Sequence, residues 1–139
     1  MLDHPAIAGL VSHCGWNSIL ECVTAGLPMI TRPLFAEQFY NERLVLDVLK
    51  IGVKEWKNLN EVGELVRRET IAKAVKLLMA SGEEEAEAMR KKAKELAVGA
   101  MKAIHVGGSS HTNLMSLIDE LKSLKTFKTH KVTEINVED

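Results

Sequence analysis

The sequence predicts an α/β protein built on a parallel sheet, and three observations support this class. Over residues 1–53, short apolar runs suited to strands covered on both faces alternate with helically spaced segments. Gly and Pro residues separate these segments. The resulting order, strand–helix–strand–helix–strand, is typical of parallel sheets. Because only two or three strands accompany five predicted helices, we expect an incomplete sheet whose further strands precede Leu2.

The first strand is predicted over residues 6–11, which form an apolar run. A helix follows over residues 17–25, where Asn17 or Ser18 is expected to cap the start. Gly26 is expected to end this helix, because glycine readily adopts the left-handed conformation found at helix C-termini.

A second strand is predicted over residues 29–31, and Pro33 interrupts the pattern after it. Residues 35–49 are predicted to form one helix, and residues 51–53 a third strand. The residues on the predicted inner side of that helix are Phe39, Leu44, Val48 and Leu49.

The remainder of the chain is predicted to be mainly helical. Amphipathic helices are expected over residues 69–79 and 83–104, and a last helix from Ser109 or Ser110 to about Leu124. Residues 126–139 show no convincing periodicity and are expected to form a loose tail. A polar loop is predicted over residues 54–68; it contains Trp56, Asn58 and Asn60.

Length and composition exclude several classes of protein. The chain has 139 residues, about one domain, which we expect to occupy residues 1–125. The 18 basic and 19 acidic side chains give a net charge of −1, which argues against a nucleic-acid partner. The 2 cysteines exclude a disulfide-stapled secreted scaffold, and no apolar run is long enough to cross a bilayer. A cytoplasmic location is therefore expected.

Candidate binding residues follow the first predicted strand and open the next helix. Open α/β sheets place ligands at this edge, and a helix N-terminus favours phosphate. Gly15 permits close backbone approach, while Asn17 and Ser18 add side-chain donors. Glu21 lies one turn further along the helix and suits the two hydroxyls of a ribose. These features predict a nucleotide ligand.

A second loop follows the second predicted strand and leads into another helix. It contains Glu37, which accepts hydrogen bonds, and Gln38, which both accepts and donates them. Such a pair suits the neighbouring hydroxyls of a sugar. Together the two loops predict a site for a nucleotide diphosphate sugar.

Several motifs of the chain fall in the order and spacing of a known signature. They are His4-Pro5, residues 13–18, Glu21, Ala25-Gly26, Pro28 and residues 33–38. In these the chain resembles the signature box of plant secondary-product glycosyltransferases, the UDP-sugar-dependent family 1 enzymes. The resemblance extends over residues 2–125 and is closest to the branch that acts on flavonoids, triterpenoids and similar plant metabolites. It implies the C-terminal, donor-binding part of a two-domain GT-B glycosyltransferase, with a partial Rossmann-like parallel sheet and flanking helices.

The resemblance implies roles for the residues of the first loop. His13 would hydrogen-bond a donor phosphate, and Asn17 and Ser18 would hold the phosphate groups. Gly15 would give room, and the backbone of Trp16 would approach the transferred sugar. The side chain of Trp16 itself is expected to pack rather than to stack on a ligand.

The resemblance also implies how the sugar end of the donor is held. Glu21 would bind the ribose hydroxyls, while Glu37 and Gln38 would bind those of the sugar. In this family a Gln at the last box position accompanies glucose donors and a His accompanies galactose, so the implied donor is UDP-glucose. No metal ion or further cofactor is expected. Arg32 stands where the family usually has Trp, which would alter the pocket near the sugar.

The resemblance implies that the catalytic His and the Asp that orients it lie in an N-terminal domain, which we expect to be absent from this chain. No catalytic residue is therefore expected here, and the chain alone is expected to transfer no sugar. With that domain, glucose would move with inversion to a hydroxyl of a small lipophilic acceptor. The alternative is a non-catalytic truncated product that binds UDP-sugar weakly or not at all. A further hypothesis, a nucleophilic pair of Cys14 with His13, is disfavoured because adjacent strand residues point in opposite directions.

Overall fold

The computed structural model describes residues 2–54 and 66–135. The chain divides into two compact units, Met1–Ala100 and Met101–Asp139. Part of the predicted polar loop, residues 55–65 with Trp56, Asn58 and Asn60, lies outside the described residues. The domain boundary predicted between residues 125 and 126 stays a prediction.

The described elements alternate strand and helix as the sequence predicts. In chain order they are β1 (Leu10–Ser12), α1 (Trp16–Ala25), β2 (Met29–Thr31), α2 (Gln38–Arg43), a π-helical turn (Leu44–Leu49), β3 (Gly52–Val53), α3 (Arg68–Met79), α4 (Glu84–Ile104) and α5 (Ser109–Ile135). The predicted α/β class is confirmed.

The three strands form one parallel sheet in the order β1-β2-β3. Leu10 is paired with Met29 and Ser12 with Thr31, while Ile30 is paired with Val53. Because the strands are parallel and adjacent, their carboxyl ends meet at one edge of the sheet. The two candidate loops begin at this edge, one after β1 and the other after β2.

Helices cover both faces of the sheet. Met29 and Ile30 are successive residues of β2, so their side chains point to opposite faces. Met29 packs in a buried cluster with residues of α1, the π-helical turn, α4 and the loops beside them: Cys14, Ile19, Cys22, Val45, Ile51 and Ala93. Ile30 packs in a second cluster with Val53, Ala74, Leu78 and Met89, which come mainly from α3 and α4. This covering on both faces explains why every residue of β2 is buried.

The start of β1 and the cap of α1 differ from the prediction. The strand begins at Leu10 rather than at residue 6, because the chain before it turns and the amide of Ile7 donates to the carbonyl of His4 at 2.9 Å. Gly15, rather than Asn17 or Ser18, is the N-cap residue of α1, and no side chain caps this helix. Each predicted cap instead lies within the first turn.

The helix predicted over residues 35–49 begins later and turns differently. It starts at Gln38, and Val48 is 66% exposed although it was predicted to face inward. The buried positions are Gln38, Glu42 and Val45. The α-helical turn ends at Arg43 and a π-helical turn follows, so an inner face extrapolated at 3.6 residues per turn is rotated away from the core.

The ends of the later helices are mostly as predicted. The bounds predicted for α3 and α4 agree with the observed ones to within one residue. The end predicted at about Leu124 is wrong, because α5 continues to Ile135. Residues 109–135 contain neither Gly nor Pro, so nothing in the sequence breaks the local hydrogen bonding of the helix. No helix within the described residues is long and apolar enough to cross a membrane.

Candidate functional site

The two candidate loops begin side by side at the carboxyl edge of the sheet. Ser12 and Thr31 are register partners at the ends of β1 and β2. One residue further, the amide of Arg32 donates to the carbonyl of Ser12 at 2.7 Å. The β1–α1 loop, residues 13–15, and the β2–α2 loop, residues 32–37, therefore leave the sheet from adjacent positions.

The β1–α1 loop makes a left-handed turn at a residue that is not glycine. Cys14 has φ 64°, and its side chain is buried. The amide of Cys14 donates to Oγ of Ser12 at 3.1 Å, and its thiol points to the carbonyl of Ser12 at 3.7 Å. This conformation keeps Cys14 in the core and leaves His13 exposed. The predicted divergence of these two neighbours is confirmed.

Gly15 is needed for a reason the sequence did not reveal. A Cβ at this position would collide with Nε2 of His13, so the imidazole lies over the glycine. The sequence predicts that Gly15 leaves space for a ligand. In the described structure the imidazole ring of His13 occupies the space beside Gly15. Any side chain at Gly15 would displace His13.

The start of α1 leaves partial positive charge at the site. No side chain caps the helix, and its first turn contains no acidic residue. Asn17 is exposed and Ser18 half-buried, and Glu21 is exposed one turn further along. Trp16 is 51% exposed, so the packing role expected for its side chain is not observed among the described residues.

The β2–α2 loop is folded around the side chain of Gln38. Oε1 of Gln38 accepts hydrogen bonds from the amides of Leu34 at 2.9 Å and Phe35 at 3.2 Å, and the residue is only 4% exposed. Glu37, the preceding residue, is exposed. The two predicted sugar-binding residues therefore differ in availability, since the acceptor atom of Gln38 is already engaged within the protein.

Asn41 connects the two loops, a role that residue type and spacing did not predict. It lies on α2 one turn after Gln38, and its Nδ2 donates to the carbonyl of Cys14 at 3.0 Å. Helical spacing indicates that residues three apart share a face. That spacing was the available signal, but nothing in the sequence indicated which loop Asn41 would reach.

A buried carboxylate lies beneath the β2–α2 loop. Glu42 is 3% exposed, and its Oε1 accepts a hydrogen bond from Oγ1 of Thr31 at 2.8 Å. Nζ of Lys54 lies 2.7 Å from Oε2 of the same carboxylate. The pair joins α2 to the residue that follows β3, so it holds the helix carrying Gln38 and Asn41 against the sheet.

The thiols of the chain are unsuited to nucleophilic chemistry at neutral pH. Burial raises the pKa of Cys14 to about 11, and burial likewise raises the pKa of Cys22 to about 11. A thiol rather than a thiolate is present at neutral pH, so the structure does not support a nucleophilic pair of Cys14 with His13.

Among the described residues, no three His, Cys, Asp or Glu side chains are grouped as metal ligands.

Comparison with protein families identifies the class to which this fold and these loops belong. Residues 1–91 match the family model described as "UDP-glucoronosyl and UDP-glucosyl transferase". The match extends over more than half of the chain and includes both candidate loops. The chain therefore belongs to this family of glycosyltransferases.

Curated relatives from plants are similar over nearly the whole chain. The soyasapogenol B glucuronide galactosyltransferase of Glycine max is 59% identical over 141 residues, which is 98% of this chain and 28% of that protein. UDP-glucosyl transferase 73CC6 of Saponaria officinalis is 53% identical, over 95% of this chain and 28% of its own length. The chain thus spans somewhat over a quarter of the length of these relatives.

Solved structures agree with this assignment. Glycyrrhiza uralensis UGT73P12, complexed with glycyrrhetinic acid 3-O-monoglucuronide, is 51% identical with a TM-score of 0.86, over 98% of this chain and 29% of that one. TcCGT1 in complex with UDP is 35% identical with a TM-score of 0.78, over 88% and 25% of the two chains. The fold is therefore that of a portion of a GT-B glycosyltransferase.

Proposed function

We propose that this chain binds UDP-glucose as the donor part of a glycosyltransferase that glucosylates hydroxyls of small lipophilic plant metabolites, such as flavonoids or terpenoids. The observation that supports this most directly is the pair of adjacent loops at the carboxyl edge of the sheet. One leads into the uncapped start of α1, and the other contains the sugar-binding candidates. The similar TcCGT1 structure contains UDP.

The β1–α1 loop is the proposed phosphate site. The uncapped N-terminus of α1 favours an anion, and its first turn contains no carboxylate to repel one. The exposed His13 and Asn17 and the half-buried Ser18 add donors around the same turn. Gly15 and the backbone of Trp16 complete this side, while Glu21 would accept the hydroxyls of the ribose.

The β2–α2 loop is the proposed sugar site. Glu37 is exposed and accepts hydrogen bonds. The amide oxygen of Gln38 is engaged by the loop, so the group that Gln38 offers to a sugar is the Nε2 donor. A Gln at this position supports glucose as the donor sugar, and UDP-galactose is the competing donor to be compared. We propose no metal ion and no further cofactor.

The acceptor is proposed to carry a glucuronic acid unit. The name of the soybean relative and the ligand of the Glycyrrhiza structure both specify a glucuronide. Arg32 opens the β2–α2 loop, is half-buried, and forms no ion pair with another described residue. A guanidinium at this position suits a carboxylate. Saturation-transfer NMR is expected to give a stronger signal for a triterpenoid monoglucuronide than for its aglycone, and Arg32→Trp should remove that difference. Equal signals in the wild-type chain would refute this acceptor class.

Calorimetric titration of the chain with UDP-glucose tests the donor-binding proposal. His13→Ala should weaken binding by roughly tenfold to a hundredfold, the usual effect of losing a hydrogen bond to a charged group. His105→Ala is the matched control, because His105 is also exposed but lies outside the two loops. No measurable binding would favour the alternative of a non-catalytic product without donor affinity. Equal losses in both variants would contradict the proposed role of His13.

A further inference from the structure

We propose that Asn41 is a positioning residue for the phosphate loop. Its hydrogen bond to the carbonyl of Cys14 fixes the peptide that carries the amide of Gly15 at the start of α1. This inference rests on the proposed donor-binding function, because it assigns to Asn41 the task of aiming a group at the donor phosphates.

The conformation of Cys14 requires support from its surroundings. A left-handed backbone is unfavourable for a residue with a Cβ, and Cys14 has φ 64°. Two side chains hold the turn at Cys14, one on each side. Oγ of Ser12 accepts from its amide at 3.1 Å, and Nδ2 of Asn41 donates to its carbonyl at 3.0 Å. Without Asn41, one of these two constraints is lost.

Fixing the carbonyl of Cys14 also fixes the amide that follows it. The peptide bond is planar and trans, so the carbonyl of Cys14 and the N–H of Gly15 point in opposite directions. The N–H of Gly15 therefore points away from Asn41, and it has no backbone acceptor among the described residues. It lies at the N-cap of α1, next to the helix start proposed to receive phosphate.

The same helical turn also controls the other loop. The amide of Asn41 donates to the carbonyl of Glu37 at 3.0 Å, which fixes Asn41 relative to the start of α2. Gln38, in that turn, accepts from the amides of Leu34 and Phe35. The same turn thus contacts both loops and links the proposed phosphate site to the proposed sugar site.

The test compares the variant Asn41→Asp with the wild-type chain and with Ile30→Val. Aspartate has nearly the same shape, but it cannot donate to the carbonyl of Cys14 and turns a carboxylate oxygen toward it. We expect the Kd for UDP-glucose to rise about tenfold or more. Ile30 belongs to the buried cluster that does not contain Cys14, and Ile30→Val makes a modest cavity there. This control should lower Tm and leave the Kd for UDP-glucose unchanged. A purely structural role for Asn41 would lower Tm in both variants and leave both Kd values alone.

Amide NMR spectra of the unliganded chain give a second readout. In Asn41→Asp the resonance of Gly15 should move, whereas that of Ala74 on α3 should stay. If Asn41→Asp does not fold, Asn41→Ala removes the same hydrogen bond without adding charge, and the same increase in Kd is expected. A wild-type chain that binds no UDP-glucose overturns the proposed function and the positioning role with it. A wild-type chain that binds normally, with Asn41 variants of unchanged Kd, overturns the positioning role alone.

Discussion

Replacing Lys54 by Met is expected to destabilise the fold, because it removes the counter-charge of a buried carboxylate. Lys54 is the cation beside the buried carboxylate of Glu42, with 2.7 Å between Nζ and Oε2. Methionine has a similar length and packs well, but it leaves the carboxylate without its counter-charge. Glu42 is only 3% exposed, so water cannot substitute for the lost ammonium group.

The size of the effect follows from this burial. Removing one partner of a buried ion pair usually costs about 3–5 kcal/mol, because the remaining charge stays desolvated. The hydrogen bond from Thr31 compensates only part of this cost, since one neutral hydroxyl contributes about 1 kcal/mol. The side chain of Lys54 is 27% exposed, which places the expected loss near the lower limit, about 3 kcal/mol.

Urea unfolding of four chains measures this coupling: the wild type, Lys54→Met, Glu42→Gln and the double variant. Glutamine in place of Glu42 keeps an oxygen for the hydroxyl of Thr31 and removes the charge. The double variant should therefore be much closer to the wild type than Lys54→Met is, with a coupling energy of about 2–3 kcal/mol. A loss below about 1 kcal/mol in Lys54→Met, the value of an exposed pair, would refute the argument from burial.

Three further predictions concern other parts of the first unit. Both thiols have a pKa raised from 9.0 to about 11, so the folded state keeps protons that the unfolded state releases. The free energy of unfolding should therefore fall by about 2 kcal/mol per thiol as pH rises from 9 to 11, and Cys22→Ala should make this fall shallower. Gly52→Ala should destabilise the fold by about 1–3 kcal/mol, because the new Cβ would lie 2.6 Å from Cγ1 of Val45; Gly99→Ala, where nothing lies within 4 Å, should instead raise Tm. Arg90→Met should cost about 2–3 kcal/mol in urea unfolding, because Arg90 donates to the carbonyls of Leu78 and Ala80 at the end of α3; a loss no larger than that of Glu87→Gln would contradict this role.

The elements that the sequence predicted well are those determined by local chemistry. Apolar runs and turn residues located β2 and β3, and Gly26 ends α1 in the left-handed conformation with φ 68°. The π-helical turn at Leu44–Leu49 was not predictable from periodicity, because its hydrogen-bond spacing depends on how the segment packs against β2 and β3. Val48 was assigned to the wrong face for that reason.

The residues of the candidate site also fall into a group that the sequence predicted and a group that it did not. The exposed side chains of the site, such as His13 and Glu37, could be proposed from residue type and position alone. The polar groups that hold the loops could not, because each reaches a partner that only the fold brings near. Asn41 contacts Cys14 across 27 positions of sequence, and periodicity contains no information about such a contact.

Gln38 is both a proposed sugar-binding residue and a residue that holds its own loop in place. Its oxygen has two lone pairs, and the amides of Leu34 and Phe35 use both. A neutral histidine has a single acceptor nitrogen, so it can satisfy only one of those amides. Gln38→His, the exchange that the family resemblance associates with galactose donors, would therefore also alter the loop that holds the proposed sugar site. Under the proposed function, donor choice and loop structure would therefore depend on the same few atoms of Gln38.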